Sequence, residues 1–209
     1  NYLLVLVCFS ILLSYDNKFT HLDLGSGKAK VNLKNSTELE DVGEGYTRLV
    51  QIGDGHLAEL GMPELPEFTT FYQLDPSKLY NFQFEVISSY TIENINIVPH
   101  QGMEKWEIPN VSSINEDIYN SYFPFPNDNM LISEPMQGRG VKFVSIQVVP
   151  YKYYPKYQKL EVYTEINILV EEIGENSEPN LNQPKRSHMF DNFYKDLIVN
   201  FESSDRPND

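Results

Sequence analysis

The stretch "LEVYTEINILVEE", from Leu160 to Glu172, limits the possible folds more than any other part of the chain. Leu160, Val162, Thr164, Ile166, Ile168 and Val170 fall on one side of an extended backbone. Glu161, Tyr163, Glu165, Asn167, Leu169 and Glu171 fall on the other. This period of two predicts a strand with one dry and one mostly wet face, roughly 35 Å long at about 3.3 Å per residue. A slip of one residue would exchange Ile166 for Glu165 on the dry face, so the register is strongly specified. The preceding "VVPYKYYP" reads as an aromatic bend. Pro150 and Pro155 confine it to an open connection, and Tyr151, Tyr153 and Tyr154 cover the end of the core. The bend is read as architecture and not as an active site.

Further extended segments follow the same logic. "YTRLVQIG" (46–53) reads as a strand stopped by Gly53 and Gly55. In "GMPELPEFTTFYQL" (61–74), Pro63 and Pro66 cannot donate to a ladder and belong at an edge or an extended lead-in. In "YNFQFEVISSYTIENINIVP" (80–99), Tyr80, Phe82, Phe84 and Val86 share a face, and Ser88 and Ser89 mark a bend or bulge before Ile92, Ile95 and Ile97. Residues 100–129 form a long irregular stretch holding the single tryptophan, Trp106, and "GRGVKFVSIQVVP" (138–150) returns to strand. The period then changes: Phe190, Phe193, Tyr194, Leu197 and Phe201 recur at helical spacing behind Ser187 as N-cap. The fold class expected is all-β, an antiparallel two-layer β-sandwich of jelly-roll-like character with a short C-terminal amphipathic helix. By segment, 1–15 reads as a truncated signal peptide, 16–45 as a polar N-terminal extension, 46–172 as the sandwich core, 173–186 as a linker and 187–201 as the helix.

Composition excludes several functions. A formal net charge of −14 argues against nucleic acid, which needs clustered Lys and Arg, and against anionic membrane surfaces. "NYLLVLVCFSILLSY" is too short to span a bilayer and fits the apolar region of an export signal. Cys8, the single cysteine, lies inside it, which leaves no cysteine nucleophile in the mature region. No G-x-S-x-G elbow occurs, and "LGSGKAK" lacks both the first glycine and the Ser or Thr of a phosphate loop, so it reads as a turn. His21, His56, His100 and His188 have no ligand spacing, and the acidic cluster "TELEDVGEGY" lacks EF-hand spacing. The expectation is a non-enzyme without metal or cofactor.

Five segments in order resemble the propeptide of the gingipain-type cysteine peptidases, peptidase family C25. These are "GMPELPEF", "INIVPHQG", "YNSYFPFPN", the block "GRGVKFVSIQVVPYKYYPKYQKLEVYTEINILVE" and the closing "MFDNFYKDLIVNF" with its Asn-aromatic pair, together spanning Gly61 to Phe201. Two features depart from the family pattern: Tyr154 precedes Pro155 where Asn is usual, and the chain stops at Asp209, where a peptidase domain would begin. The resemblance implies a segment that assists folding and keeps a secreted cysteine endopeptidase latent by inserting a loop into its cleft. The partner would be the cognate catalytic domain in cis, with its Cys–His pair beyond this chain. The protein would be exported through the periplasm of a Gram-negative bacterium to the surface or medium. By the same resemblance, the loop is His100–Asn110, Lys105 imitates a basic substrate residue, and Trp106 is an apolar anchor. The bland alternative is a solvated lysine beside a partly buried tryptophan. Arg139 competes for the role, but its place between two glycines suits a turn. Arg206 stands where the propeptide would be processed, within a junction over 202–209, although Pro207 resists cleavage there and Arg186 offers another site. The rival readings are a free-standing adhesion or carbohydrate-binding sandwich and, more remotely, a secreted enzyme using scattered His and carboxylates.

Overall fold

The alternating segment is the spine of one sheet in the computed structural model, which describes residues 18–50, 55–57, 59–102, 111, 113–177 and 188–202. In chain order the strands are β1 (Phe19–Gly25), β2 (Lys28–Lys34), β3 (Glu38–Gly43), β4 (Tyr46–Val50), β5 (Gly55–Leu57), β6 (Leu65–Leu74) and β7 (Lys78–Glu93). Helix α1 (Glu116–Tyr119) precedes β8 (Met130–Ile132), β9 (Met136–Gly138), β10 (Val141–Val148), β11 (Tyr151–Tyr154) and β12 (Lys159–Glu175), and α2 (His188–Leu197) follows. All ladders between these strands are antiparallel.

The first sheet runs β1-β2-β12-β11, with β7 along the other side of β12. Strands β2 and β11 share one flank of β12, facing Glu165–Glu171 and Lys159–Val162 respectively. The second sheet runs β5-β6-β10-β8, with β9 also on β10, while β3 and β4 form a separate hairpin. Two apolar clusters fill the interior. One packs Val31, Leu33, Ile166 and Ile168 against Phe68, Val144, Ile146 and Val148. The other gathers Leu49, Leu65, Ile97, Val149, Tyr151, Tyr153, Leu160 and Val162. Strand β12 therefore contributes to both, and each fully buried aliphatic side chain is worth roughly 1.5–3 kcal/mol over leaving it in water.

Between the clusters the β7–β12 register shifts twice. Tyr163 faces Ser89 and Glu165 faces Ser88, but Ile166 faces Val86. The extra residue in β12, Thr164, is offset by one in β7, Ile87, so the period-two pattern resumes unbroken. The Ser88 and Thr164 hydroxyls are hydrogen-bonded at 2.6 Å across this point. The Ser88–Ser89 pair thus does mark a bulge, as its sequence suggests.

Several expectations are corrected. Residues 151–154 are a strand and not a bend. Pro150 sits where the chain leaves β10 in the second sheet and enters β11 in the first; its carbonyl accepts from the Tyr163 amide at 2.9 Å, and the proline ring costs the sheet only an N–H. The expected polar extension over 16–45 contains β1 and β2, and Val31 and Leu33 are fully buried. Its lysines alternate with these apolar residues and conceal a half-buried strand. Strand β12 continues to Glu175, past the expected linker boundary, because β7 goes on pairing there as far as Lys78. Tyr194 and Ile198 bury against the second sheet's outer side, whereas Phe193 is 55% exposed and does not belong to the packed face of α2.

Candidate functional site

Two proline-containing motifs that are weak signals separately meet in space. The amide of Glu64 donates to the Val98 carbonyl (2.9 Å), that of His100 to the Met62 carbonyl (2.8 Å), and that of Gly61 to the His100 carbonyl (2.8 Å). Pro63 faces Pro99 in this short antiparallel ladder, at the pair where neither N–H is required. The chain leaves this ladder after His100 and returns at Ser113–Asn115. Asn115 then donates to the Gly61 carbonyl at 2.9 Å.

Gln101 ties the outgoing and returning feet together. Its Nε2 donates to the Ser113 carbonyl (2.8 Å) and to the Pro99 carbonyl (2.9 Å), and its Oε1 accepts from the Ser113 amide (3.0 Å). The carboxamide stands in for a rung of backbone ladder. Gly61 makes the close approach possible: its φ is +80°, and a Cβ there would lie 2.9 Å from the Asn115 nitrogen. Only glycine meets both conditions without strain.

The returning foot starts α1, with Asn115 as N-cap accepting from the Ile118 amide at 3.2 Å. Tyr119 then reaches back and donates to the Ile97 carbonyl at 2.7 Å, its ring 6.4 Å edge-on from Tyr153. Burial raises both phenols, Tyr119 strongly and Tyr153 to about 12. Both stay neutral near pH 7 and serve as props, not proton carriers. Glu64 accepts from Arg48 Nε at 3.1 Å and lies 3.9 Å from His100 Nδ1, which pins the ladder to β4. Nothing among these groups is an activated nucleophile; what they do is hold Pro99–Gln101 and Ser113–Asn115 together on Gly61–Glu64.

A second anchorage holds the chain leaving α2. The Val199 amide donates to the Phe71 carbonyl at 2.9 Å. Asn200 then clamps β6, its Oδ1 accepting from the Gln73 amide (2.7 Å) and its Nδ2 donating to the Gln73 carbonyl (3.0 Å).

Of the residues singled out from sequence, Lys105 and Trp106 lie outside the described residues, as do Arg186 and Arg206. Arg139 is described: with φ +46°, next to Gly140 at +80°, it makes the two-residue turn between β9 and β10. Its guanidinium carbon stands 3.9 Å from the centre of the Phe190 ring, so it packs on α2. Among the described residues no three His, Cys, Asp or Glu side chains come together as a metal site. Also among the described residues, no helix is long and apolar enough to cross a membrane. Sequence reasoning missed the roles of Gln101, Gly61 and Tyr119, although all three sit inside the motifs it had marked.

Comparison with known proteins agrees with this architecture. The chain is 30% identical over 154 residues to Gingipain R1 of Porphyromonas gingivalis, covering 70% of this chain and 15% of that protein. It is 29% identical over 160 residues to Gingipain R2, covering 71% of this chain and 21% of the relative. The match thus spans about a fifth or less of those relatives. The fold matches a chain from the complex of P. gingivalis RgpB pro- and mature domains, with a TM-score of 0.67 at 21% identity, covering 88% of this chain and 98% of that one. It also matches a structure addressing zymogenic latency of gingipain K, with a TM-score of 0.58 at 16% identity, covering 76% and 93%. The family model for the C25 propeptide, Propeptide_C25, matches residues 31–207, and the chain belongs to that family.

Proposed function

We propose that this chain is the part of an exported cysteine peptidase precursor that assists folding of a C25 catalytic domain and keeps it latent until proteolysis. The observation that carries this reading is the family match over residues 31–207. The stapled ladder supports the manner of inhibition. Blocking a cleft needs a short loop on a rigid mount, because a mount that wanders charges its ordering entropy against binding. Lys105 follows Gln101 by four residues, so it can stand at most roughly 14 Å from the staple. In this reading Lys105 occupies the pocket that takes a basic substrate side chain, and Trp106 rests on the pocket's apolar rim. Arg206, four residues past Glu202, is the processing point, and the Asn200 clamp holds the chain that leads to it.

The test is inhibition of the cognate mature peptidase by the separately produced chain. Micromolar chain should slow hydrolysis of a basic peptide substrate, and Lys105→Ala should weaken the effect at least tenfold. Undiminished hydrolysis at that concentration would refute the reading.

A further inference from the structure

We propose that Tyr122, Phe123 and Tyr157 form an aromatic docking patch that seats the peptidase domain beside the loop; this rests on the propeptide reading above. These rings are 63%, 77% and 58% exposed, unusual for large apolar side chains standing together. They are also held in place. Tyr122 and Tyr157 meet edge-on at 6.0 Å, and the Lys156 ammonium lies 5.9 Å over the Tyr122 ring. The Lys156 amide donates to the Ser121 carbonyl (3.3 Å) and the Phe123 amide to the Ser121 hydroxyl (2.9 Å). Beneath them Phe125 and Tyr153 exchange backbone hydrogen bonds of 2.7 and 2.8 Å. Exposed aromatics on a fixed backbone lose little freedom on binding, which makes them effective interface anchors.

Position and area select the occupant. The patch is separated from the loop's returning foot by the single turn of α1, roughly 6 Å of helix. At that foot Ile114 and Leu60 are 42% and 63% exposed, a second and smaller apolar spot, with the exposed acidic residues Glu116 and Asp117 of α1 lying between it and the rings along the chain. A partner gripping the loop therefore has both apolar spots within about one helical turn of its returning foot. The three rings offer on the order of 400 Å². Two copies joined through them would bury about 800 Å², less than the roughly 1,000 Å² a specific interface needs. A net charge of −14 on each copy opposes self-association further. Joined to the loop's footprint on one partner, the same area is a sensible share of a standard interface. The occupant is thus the apolar shoulder of the peptidase domain next to its cleft.

The test compares the 209-residue chain, Phe123→Ser with Tyr157→Ser, Tyr122→Ser, and Lys105→Ala for binding to the immobilised cognate catalytic domain, with melting temperature and sedimentation measured on each. The double variant should bind at least tenfold more weakly through faster dissociation, with its melting temperature unchanged, and Tyr122→Ser should shift affinity in the same direction. A double variant binding within twofold of the parent overturns the patch while leaving the propeptide reading intact. A parent dimer that the double variant turns into a monomer also overturns it, by making a second copy the occupant. A parent chain that does not bind overturns the propeptide reading and the patch with it.

Discussion

Replacing Gln101 by alanine isolates the contribution of the staple. At least three hydrogen bonds are lost, two donated by Nε2 and one accepted by Oε1. Each is worth a net 0.5–1.5 kcal/mol or so, and water can reach the half-buried Ser113 to recover part of it, which leaves about 2 kcal/mol. That amount is spent again whenever the frayed feet must be brought together on an enzyme, so the inhibition constant should rise roughly 30-fold. The loss is local because the ladder of Gly61, Met62 and Glu64 with Val98 and His100 remains. If the whole domain bore it, the melting temperature would fall by about 4–8 °C. Inhibition titrations, thermal melts and hydrogen exchange at the Ser113 amide together separate these cases. The expected result is a raised inhibition constant, faster exchange at Ser113 and a nearly constant melting temperature. Gln101→Glu should not rescue, since its carboxylate would face the Ser113 and Pro99 carbonyls. Faster exchange at Ser113 with unchanged inhibition would refute the link between loop mounting and latency.

Gly61→Ala should cost roughly 1–3 kcal/mol and abolish tight inhibition, because the left-handed backbone and the 2.9 Å approach to Asn115 both forbid a side chain; a melting curve and inhibition assay equal to the parent's would count against the geometry. Asn200→Ala removes the reciprocal pair on Gln73, and the loss of about 2 kcal/mol should appear as a melting temperature lower by roughly 4–8 °C. Faster tryptic cleavage at Lys195 should accompany it, and intact protection of that bond would deny the clamp its role. His21 is held below its ordinary value of 6.5 by burial, only partly offset by Asp23 and Glu202. The folded state therefore resists protonating His21, so its share of stability is full above pH 6.5 and is lost as pH falls below that. Denaturant melts from pH 7.5 to 5 should show a shallower decline for His21→Gln, and identical slopes would exclude the effect.

What could be read from the chain follows how locally each feature is encoded. The dry face of β12 was legible because its pattern and its pairing coincide: Ile166, Ile168 and Val170 are buried as the alternation requires. The same rule applies to "KAKVNLK", yet there lysines fill the outer face and bulk composition suggests a solvated tail. Period, not average polarity, carried the information that Val31 and Leu33 are core. The β10-to-β11 step was misjudged for another reason. Two prolines within six residues look like a loop, but Pro150 falls at a change of sheet, where only its carbonyl is used, and Pro155 opens the turn into β12. The loop base could not be seen at all from local patterns. Gly61 and His100 are far apart in sequence, and the use of Gln101 as a rung depends on a third segment, Ser113, that carries no recognisable signal.

The register arithmetic of β7 and β12 bears on how the two anchorages relate. The loop ladder stands on the cluster containing Ile97, Tyr153, Leu160 and Val162, near the start of β12. The chain exit at Asn200 lines the same cleft, of about 490 Å³, as Val170 and Glu172 near the strand's other end. A continuous strand therefore separates the place that presents the loop from the place that hands the chain on. Had Thr164 been unopposed, the insertion would have turned Ile166 and Ile168 outward and broken the first cluster. The extra residue in β7 restores the faces, and the bulge bends the sheet without unpairing it. An inhibitory segment in cis must span a set distance between a cleft and the start of the domain it guards. On the propeptide reading, a strut buried in two cores keeps that distance where a flexible tether would let it vary, which gives so long a strand a mechanical use.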